Sequence, residues 1–238
     1  MSRFALDGAV AVVTGAAGGI GRAIVFGLEA EGVRVVGVDI GEAADAGNCQ
    51  HCDVTDGEQV RGLVDRVVDE YGGIDLLVHA AGVTRDGVLW KLEDEDWSAV
   101  MRVNLDAAFL LLRASARHLR RSSRGATVLV SSINGERGKI GQANYAASKA
   151  GLIGLARSAA RELGRDGVRV NVIAPGFITT PMSASLPSEI KERAVAETVL
   201  GRPGRPEDIA DAVVFLCSGL SGHVTGQVLR VDGGQLMA

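Results

Sequence analysis

The 238-residue sequence has few cysteines and few aromatic residues, and it lacks any long apolar run. Three cysteines do not suggest the disulfide framework of a small secreted protein. The first apolar stretch covers only Ala9 to Val13, whereas a secretory signal needs about 7 to 15 apolar residues and a membrane span about 20. We therefore expect a cytoplasmic protein with no membrane partner.

Positive charge is not in excess either. The 25 Lys and Arg residues are outnumbered by 29 Asp and Glu residues, and the two signs are interleaved along the chain. Such a distribution lacks the basic surface that nucleic-acid binding requires, so no nucleic-acid partner is expected. Apolar residues, by contrast, make up 47% of the chain. Because chains of up to roughly 250 residues often fold as one domain, we expect a single domain over residues 1–238.

Two of the cysteines, Cys49 and Cys52, form a CxxC pair with His51 between them. Such a pair can bind zinc or take part in redox chemistry. No second pair of ligands follows, and the surrounding residues resemble a short strand, on which positions three apart point to opposite faces. We therefore predict no metal site here and favour two small, partly buried strand residues.

Seven apolar, β-branched segments alternate with segments of helical periodicity. The predicted strands are AVAVVTG, RVVGVD, QHCDV, DLLVHAAG, ATVLVSS, RVNVIAPG and QVLRVDGG. Continuous apolar runs are typical of strands covered on both faces. The alternation predicts an α/β fold, namely a single-domain, Rossmann-like, doubly wound parallel sheet with helices on both faces. Residues 40–52, after the second strand, leave too little room for a full crossover helix.

A glycine-rich turn follows the first predicted strand and precedes a predicted helix. Gly15, Gly19 and Gly21 lie at this junction, where glycine permits a tight turn and lets a pyrophosphate approach backbone N–H groups at the helix start. The spacing is G-x3-G-x-G, and taken alone it can also mark an ordinary turn.

The second strand ends in Asp39, close to the distance of about 20 residues at which an acid contacts the adenine ribose. A carboxylate there accepts both ribose hydroxyls and repels a 2′-phosphate, so NAD(H) is favoured over NADP(H). The alternatives are an ordinary strand-end acid and a compensating charge from nearby Arg22. Asp53 and Val54, at the end of the third strand, are predicted to contact the adenine ring.

A candidate catalytic group begins where the segment SSINGERGKIGQANYAASKAG leaves the fifth predicted strand. Tyr145 and Lys149 are four residues apart, so they share a helix face, where the ammonium can lower the pKa of the phenol. Ser132, at a strand's carboxyl end, can polarise a substrate oxygen. Each residue alone has an ordinary explanation, such as chance spacing or a capping serine. Their occurrence in one chain together with the glycine-rich turn favours a catalytic role.

With these motifs, the chain resembles the short-chain dehydrogenase/reductase family over essentially its whole length. The matching features are TGAAGGIG, Asp53-Val54, Asn104 in VNL, Ser132, the YAASK block, PGFITT and TGQVLRVDGG. The resemblance implies that Asn104 holds a water for a proton relay from Lys149, and that Ile178 and Thr180 seat the nicotinamide amide. It implies hydride transfer at a carbonyl or secondary alcohol, with Asn104, Ser132, Tyr145 and Lys149 as catalytic residues.

The full set of expected cofactor contacts follows from the turn, the strand ends and the resemblance. It comprises Gly15, Gly19, Ile20, Gly21, Asp39, Asp53, Val54, Ala81, Gly82, Tyr145, Lys149, Pro175, Gly176, Ile178 and Thr180. One departure occurs at HAAG, residues 79–82, where the family usually has NNAG. Ala80 lacks a side chain that typically braces the central strands, which puts a local hydrogen bond in doubt more than the chemistry.

Within the family, the chain is most similar to the 3-oxoacyl thioester reductases. A basic cluster of Arg117, His118, Arg120, Arg121 and Arg124 could dock an acyl carrier protein or coenzyme A. It can equally be a solvated helix terminus, and Asp166 stands near a position that carrier-protein-dependent members often make basic. A secondary alcohol, polyol or hydroxysteroid dehydrogenase would share the same catalytic residues, and a non-catalytic dinucleotide-binding subunit is a further alternative.

Substrate selectivity is expected in residues 182–208, a polar, mixed-charge segment that can form a helical lid or a surface excursion. Met182, Leu186 and Trp90 could line an acyl tunnel or belong to the core. The helix SAVMRVNLDAAFLLLRASARHL is apolar around most of its circumference, and such faces need cover. Association is therefore expected, and the resemblance implies a homotetramer.

Overall fold

A computed structural model describes residues 4–41, 49–184 and 186–237 of the chain, without the side chain of Met182. Its strands are β1 (Val10–Thr14), β2 (Arg34–Asp39), β3 (Cys49–His51), β4 (Leu76–His79), β5 (Ala126–Val130), β6 (Arg169–Pro175) and β7 (Val228–Val231). They form one sheet in the order β3-β2-β1-β4-β5-β6-β7, and every pair is parallel. The predicted doubly wound parallel sheet is thus confirmed.

The helices connect these strands. They are α1 (Gly19–Ala30), α2 (Gly57–Tyr71), α3 (Asp94–Met101), α4 (Ala107–Leu119), α5 (Asn134–Arg137), α6 (Ala143–Leu163), α7 (Pro181–Ala184), α8 (Ser188–Ala196) and α9 (Pro206–Cys217). A π-helical turn, Arg102–Asp106, joins α3 to α4, and single 3-10 turns occupy Leu89–Lys91, Gly164–Asp166 and Gly219–Ser221. No helix in the described parts of the chain is long and apolar enough to cross a membrane.

Two apolar clusters cover the two faces of the sheet. One joins β-strand side chains to α2, α4 and α6, and the other joins them to α1 and α9. The central strands β1, β4 and β5 are buried along their whole length, which explains their continuous rather than alternating hydrophobicity. Burial on both faces stabilises the sheet mainly through the hydrophobic effect.

The strand order reverses between β1 and β4, and the carboxyl ends of parallel strands meet there. In register, Thr14 at the end of β1 lies level with Val38 of β2 and with His79 at the end of β4. Open α/β sheets bind ligands at such a switch point. The expected short connection after β2 includes residues 42–48, which lie outside the described residues. The segment 182–208 contains most of α7, all of α8 and the start of α9.

Candidate active site

The glycine turn after β1 is closely packed. Gly15 has a φ of +69°, and a Cβ added there would lie 2.7 Å from the backbone nitrogen of Ala81. A Cβ on Gly21 would lie only 2.0 Å from the carbonyl oxygen of Gly15. Glycine at these positions therefore lets the chain turn tightly into α1, whose first N–H groups lack helical partners and can bind an anion.

Asp39 connects the end of β2 to this turn. Its Oδ2 accepts a hydrogen bond of 3.0 Å from the backbone N–H of Ala17, and its Oδ1 accepts one of 2.8 Å from that of Ile40. These contacts hold the carboxylate at the edge of the glycine turn. The position is the one that the sequence predicts for an acid that contacts the adenine ribose.

A pocket of about 360 Å³ lies between the glycine turn and the ends of β2, β3 and β4. Of the predicted cofactor residues it is lined by Gly15, Gly19, Ile20, Gly21, Asp39, Asp53, Val54, Ala81, Gly82 and Thr180. Glycine backbone, an acid at the ribose position and mainly apolar walls suit a dinucleotide. Five predicted contacts do not line this pocket in the described structure: Tyr145, Lys149, Pro175, Gly176 and Ile178. Buried Ile178 pairs with Gly204, and Gly176 lines a neighbouring cleft.

Gly82 joins this pocket to the predicted catalytic group. A Cβ on Gly82 would lie 3.3 Å from Lys149 Nζ and 3.4 Å from Asn104 Oδ1. Gly82, which lines the pocket, therefore lies close to the buried Lys149 side chain and to the Asn104 amide.

Tyr145 and Ser132 lie together, as the sequence predicts. Burial raises the pKa of the Tyr145 phenol, a hydrogen bond with the Ser132 hydroxyl lowers it, and the Asp86 carboxylate raises it further. Ser132 Oγ also accepts a hydrogen bond of 3.1 Å from the backbone N–H of Asn134, at the start of α5. Each hydroxyl has one O–H donor, so a substrate oxygen could accept from both in place of the hydrogen bond between them.

Lys149 lies beside Tyr145, as their four-residue spacing on α6 predicts. Its Nζ donates a 2.8 Å hydrogen bond to the carbonyl oxygen of Val130, and it lies 5.6 Å from the centre of the Tyr145 ring. Complete burial lowers the pKa of Lys149 to about 8. Ser131 Oγ donates to the Lys149 carbonyl at 2.7 Å, so the end of β5 holds the lysine at both backbone and side chain.

Asn104 is fully buried within the π-helical turn Arg102–Asp106. Its Oδ1 accepts from the backbone N–H of Val83 at 2.8 Å, and its Nδ2 donates to the Val83 carbonyl at 3.1 Å and to Ser148 Oγ at 3.1 Å. The side chain therefore connects the loop after β4 to α6. A π-turn widens the helix, which explains how a residue with poor helix propensity is accommodated here.

His79 is a residue that the sequence analysis passed over. It is fully buried, and its Nδ1 lies 2.9 Å from Thr14 Oγ1, which itself accepts a hydrogen bond from the Ala81 N–H. The Thr14 proton is therefore free to point at Nδ1. His79 thus links β1 to β4, and the strands are braced here although residue 80 is alanine. Burial and the Lys149 ammonium lower the pKa of His79 to about 3, so the imidazole is neutral.

A second group that the sequence analysis missed precedes Tyr145. Gln142 is buried, and its Nε2 donates to both Asp86 oxygens at 3.2 and 3.1 Å, while its Oε1 accepts from Asn134 Nδ2 at 3.1 Å. Asn144 Nδ2 donates to the Arg85 carbonyl at 2.9 Å. These amides fix the start of α6 against the loop after β4. Polar residues directly before YAASK were the available signal.

A cleft of about 500 Å³ opens beside Ser132, and its described lining includes no residue of the glycine turn. Its walls include Ser132, Ile133, Arg137, Lys139, Phe177, Ile190, Arg193 and Glu197. Helix α8 supplies the outer wall, which places part of the predicted substrate segment at the cleft. Trp90 is not a core residue, because it is 81% exposed.

Two of the four arginines in the basic cluster at the end of α4 pair with acids of the same chain. Arg117 pairs with Asp65 at 2.9 Å, and Arg120 pairs with Asp166. Arg124 donates to the backbone carbonyls of Ala5 and Asp7 at 3.4 and 3.1 Å. Asp166 thus neutralises Arg120, which could otherwise bind an acidic partner.

The CxxC cysteines are not activated as ligands or nucleophiles. Burial raises the pKa of Cys49 and of Cys52, so both thiols stay protonated, and the described cysteines are free. In residues 4–41, 49–184 and 186–237, no three His, Cys, Asp or Glu side chains are grouped closely enough to hold a metal ion.

The fold, the dinucleotide pocket and the adjoining Ser132, Tyr145 and Lys149 define the class of the protein, a nicotinamide-dinucleotide-dependent oxidoreductase acting on alcohols or ketones. A family model described as enoyl-(acyl carrier protein) reductase matches residues 15–235. The chain is 42% identical over 241 residues to the 3-oxoacyl-[acyl-carrier-protein] reductase FabG of Thermotoga maritima, covering 96% of this chain and 98% of the relative.

Two further relatives extend the comparison. The (3R)-3-hydroxyacyl-CoA dehydrogenase of Mus musculus is 43% identical over 257 residues, covering 99% of each chain. The ligand-free structure of Thermoplasma acidophilum aldohexose dehydrogenase superposes with a TM-score of 0.90 at 30% identity, covering 98% of this chain and 95% of that one. The chain belongs to the short-chain dehydrogenase/reductase family.

Proposed function

We propose that this protein reduces 3-oxoacyl thioesters to 3-hydroxyacyl thioesters, with NADH preferred over NADPH as the reductant. The substrate class rests on one observation: nearly full-length similarity, at 42–43% identity, to proteins named for 3-oxoacyl and 3-hydroxyacyl thioesters. The cleft beside Ser132 is consistent with it, since mixed apolar and polar walls suit an acyl thioester.

The cofactor preference follows from the Asp39 carboxylate at the pocket edge. It would accept hydrogen bonds from the two adenine ribose hydroxyls and repel a 2′-phosphate. In the described pocket lining no Lys or Arg side chain is available to offset that repulsion. Val54, Asp53 and the backbone around Ala81 and Gly82 would hold the adenine and central parts of the cofactor.

The chemistry divides between the cofactor and the side chains. A bound nicotinamide supplies the hydride to the carbonyl carbon. Ser132 Oγ would hold the carbonyl oxygen, and Tyr145 Oη would donate the proton that this oxygen gains. Lys149 and Asn104 would orient the cofactor ribose and connect Tyr145 to solvent protons.

A secondary alcohol or sugar dehydrogenase is the second candidate. It is favoured by the structural likeness to an aldohexose dehydrogenase and by Asp39, because NAD pools commonly serve oxidation. The catalytic residues do not separate the two candidates, since both reactions need the same oxygen anchor and proton donor.

An initial-rate panel would decide between them. The purified protein would be assayed in both directions with acetoacetyl-CoA and 3-hydroxybutyryl-CoA, aldohexoses and polyols, and crotonoyl-CoA as an enoyl substrate, each with NAD(H) or NADP(H). We expect the highest kcat/KM with acetoacetyl-CoA and NADH. Turnover confined to sugars or polyols would reject the thioester proposal, turnover of crotonoyl-CoA alone would assign an enoyl reductase, and a strict NADPH requirement would reject the role of Asp39.

We also propose a cytoplasmic homotetramer in which residues 182–208 control substrate access. Free, protonated cysteines suit a reducing compartment. Phe109 on α4 is 46% exposed, and small residues dominate the outer face of α6, so both helices offer surfaces for a second copy. Light scattering coupled to size exclusion would measure the mass, and a monomer at assay concentration would reject the assembly.

A further inference from the structure

The cleft beside Ser132 carries more positive charge than the chain itself neutralises. Three cations line it, Arg137 and Lys139 from the segment that follows β5 and Arg193 from α8. The acidic side chain in the described lining is Glu197, at the end of α8. The wall therefore has a formal excess of two positive charges in a protein whose net charge is −4.

The three cations differ in whether a carboxylate of the chain pairs with them. Arg137 Nη1 donates to Glu197 Oε2 at 3.0 Å, and its Nε donates to Asn134 Oδ1 at 3.1 Å, so this guanidinium is held in place. Glu197 also accepts from Gln235 Nε2 at 2.9 Å, whereas Arg193 reaches it only at 4.0 Å. Lys139 has no carboxylate partner within the described structure. Lys139 and Arg193 are thus the available cations.

We propose that Lys139 and Arg193 bind a phosphate group on the thiol carrier of the substrate. This inference rests on the proposed function. It concerns the carrier end of the thioester, which lies beyond the acyl group that reacts beside Ser132. Both coenzyme A and the phosphopantetheine group of a carrier protein have a phosphate at the far end of a flexible pantetheine arm. Either carrier therefore presents the same anionic chemistry to this wall.

The placement of the two cations fits this role. Among the residues that line the cleft, Ser132 is buried, whereas the Arg193 side chain is 85% exposed and Lys139 is exposed. A phosphate remote from the reacting carbonyl would bind the exposed cations at the opening of the cleft and not groups beside Ser132. Phosphate oxygens bind Arg and Lys through charge-assisted hydrogen bonds.

The test compares substrates that differ only in phosphate. Acetoacetyl-pantetheine, acetoacetyl-4′-phosphopantetheine and acetoacetyl-CoA would be assayed with wild type, Lys139→Met, Arg193→Met and the double variant. Arg61→Met, on α2 and outside the cleft lining, is the matched control for loss of one positive charge. In the double variant we expect KM for the phosphate-bearing substrates to rise about 3- to 10-fold, as two exposed charge pairs would give. KM for acetoacetyl-pantetheine should change less than about 2-fold, and kcat should hold for all three.

Salt provides a second readout, because the preference for phosphate-bearing substrates should shrink as ionic strength rises. Equal KM changes for all three substrates, or none, would overturn the proposal. A response limited to acetoacetyl-CoA would assign the subsite to the phosphates of its nucleotide end.

The proposed function and the phosphate subsite are tested by separate measurements. If wild type reduced no thioester, that function would fail. Calorimetric binding of coenzyme A, compared between wild type and the double variant, would then decide whether the phosphate subsite exists. Equal affinities would reject it, and weaker binding by the double variant would support it.

Discussion

Asp39 and Ala17 are 22 residues apart in sequence, and they are joined by a 3.0 Å hydrogen bond from the Ala17 N–H to Asp39 Oδ2. The bond holds the acid that ends β2 against the turn that begins α1. The acid proposed to select the cofactor and the turn proposed to bind its phosphates are thus joined directly. A change of charge at residue 39 is expected to alter the cofactor preference.

Asp39→Asn tests this relationship. The variant keeps the size of the side chain and one acceptor oxygen, so it can accept from the N–H of Ala17 or of Ile40 but not from both. It also removes the charge that would bind ribose hydroxyls and repel a 2′-phosphate. Hydrogen bonds to charged groups contribute about 1.5 to 3 kcal/mol, so the NADH to NADPH ratio of kcat/KM should fall about 10- to 100-fold. Steady-state kinetics with both cofactors measure it.

Asp69→Asn, on the exposed side of α2, is the control, because it makes the same change in net charge. It should leave the ratio unaltered. An Asp39→Asn enzyme with the wild-type ratio would show that this carboxylate does not select the cofactor.

The buried imidazole of His79 should make the free energy of unfolding decrease at acid pH. Its pKa is about 3 in the folded protein against an ordinary 6.5, so below pH 6.5 the unfolded chain binds a proton that the folded chain excludes. Stability from this group is complete above pH 6.5 and falls as the pH decreases. From pH 6.5 to 5 the loss is about 2 kcal/mol.

His79→Asn should remove this loss, since the amide can still accept from Thr14 but does not titrate. Urea unfolding of wild type and His79→Asn at pH 7.5 and pH 5 measures their free energies of unfolding. His223→Asn, which removes an exposed histidine, should keep the wild-type pH dependence. The same pH dependence in His79→Asn as in wild type would contradict the prediction.

Gly21→Ala tests the close packing of the turn. The new Cβ would lie 2.0 Å from the Gly15 carbonyl, so the turn must shift. We expect a destabilisation of about 1 to 3 kcal/mol, typical of overpacking, and loss of dinucleotide binding. Gly62→Ala within α2 is the control, because its nearest neighbour is the flexible end of Arg66 at 3.4 Å.

Gly62→Ala should stabilise the protein by up to about 1 kcal/mol through helix propensity. Thermal melts and titration with NADH distinguish the two variants. Wild-type NADH affinity in Gly21→Ala would mean that the turn has more freedom than its packing indicates.

Much of the fold could be predicted from sequence because each β-strand is a short apolar run with clear boundaries. The runs at β1, β4 and β5 have no polar alternation, since both faces are covered, and this alone indicates a parallel sheet. The sequence predicted a doubly wound parallel sheet but not its strand order, because that order depends on pairing between segments far apart in the chain.

The site was predictable to the extent that its residues have characteristic spacing. The Tyr145 and Lys149 pair is visible as a helical repeat, but the contact of Lys149 Nζ with the Val130 carbonyl depends on how α6 packs on β5. His79 and Gln142 were missed because their roles depend on partners 65 and 56 residues away, which no local pattern reveals.

The most direct test of the account is the turnover of Tyr145→Phe with acetoacetyl-CoA and NADH. If Tyr145 Oη donates the proton, kcat should fall about 100- to 10,000-fold in this variant, while NADH affinity, measured by fluorescence titration, stays within about 2-fold of wild type. A correctly folded Tyr145→Phe protein with near-normal kcat would contradict the assignment of Tyr145 as the proton donor.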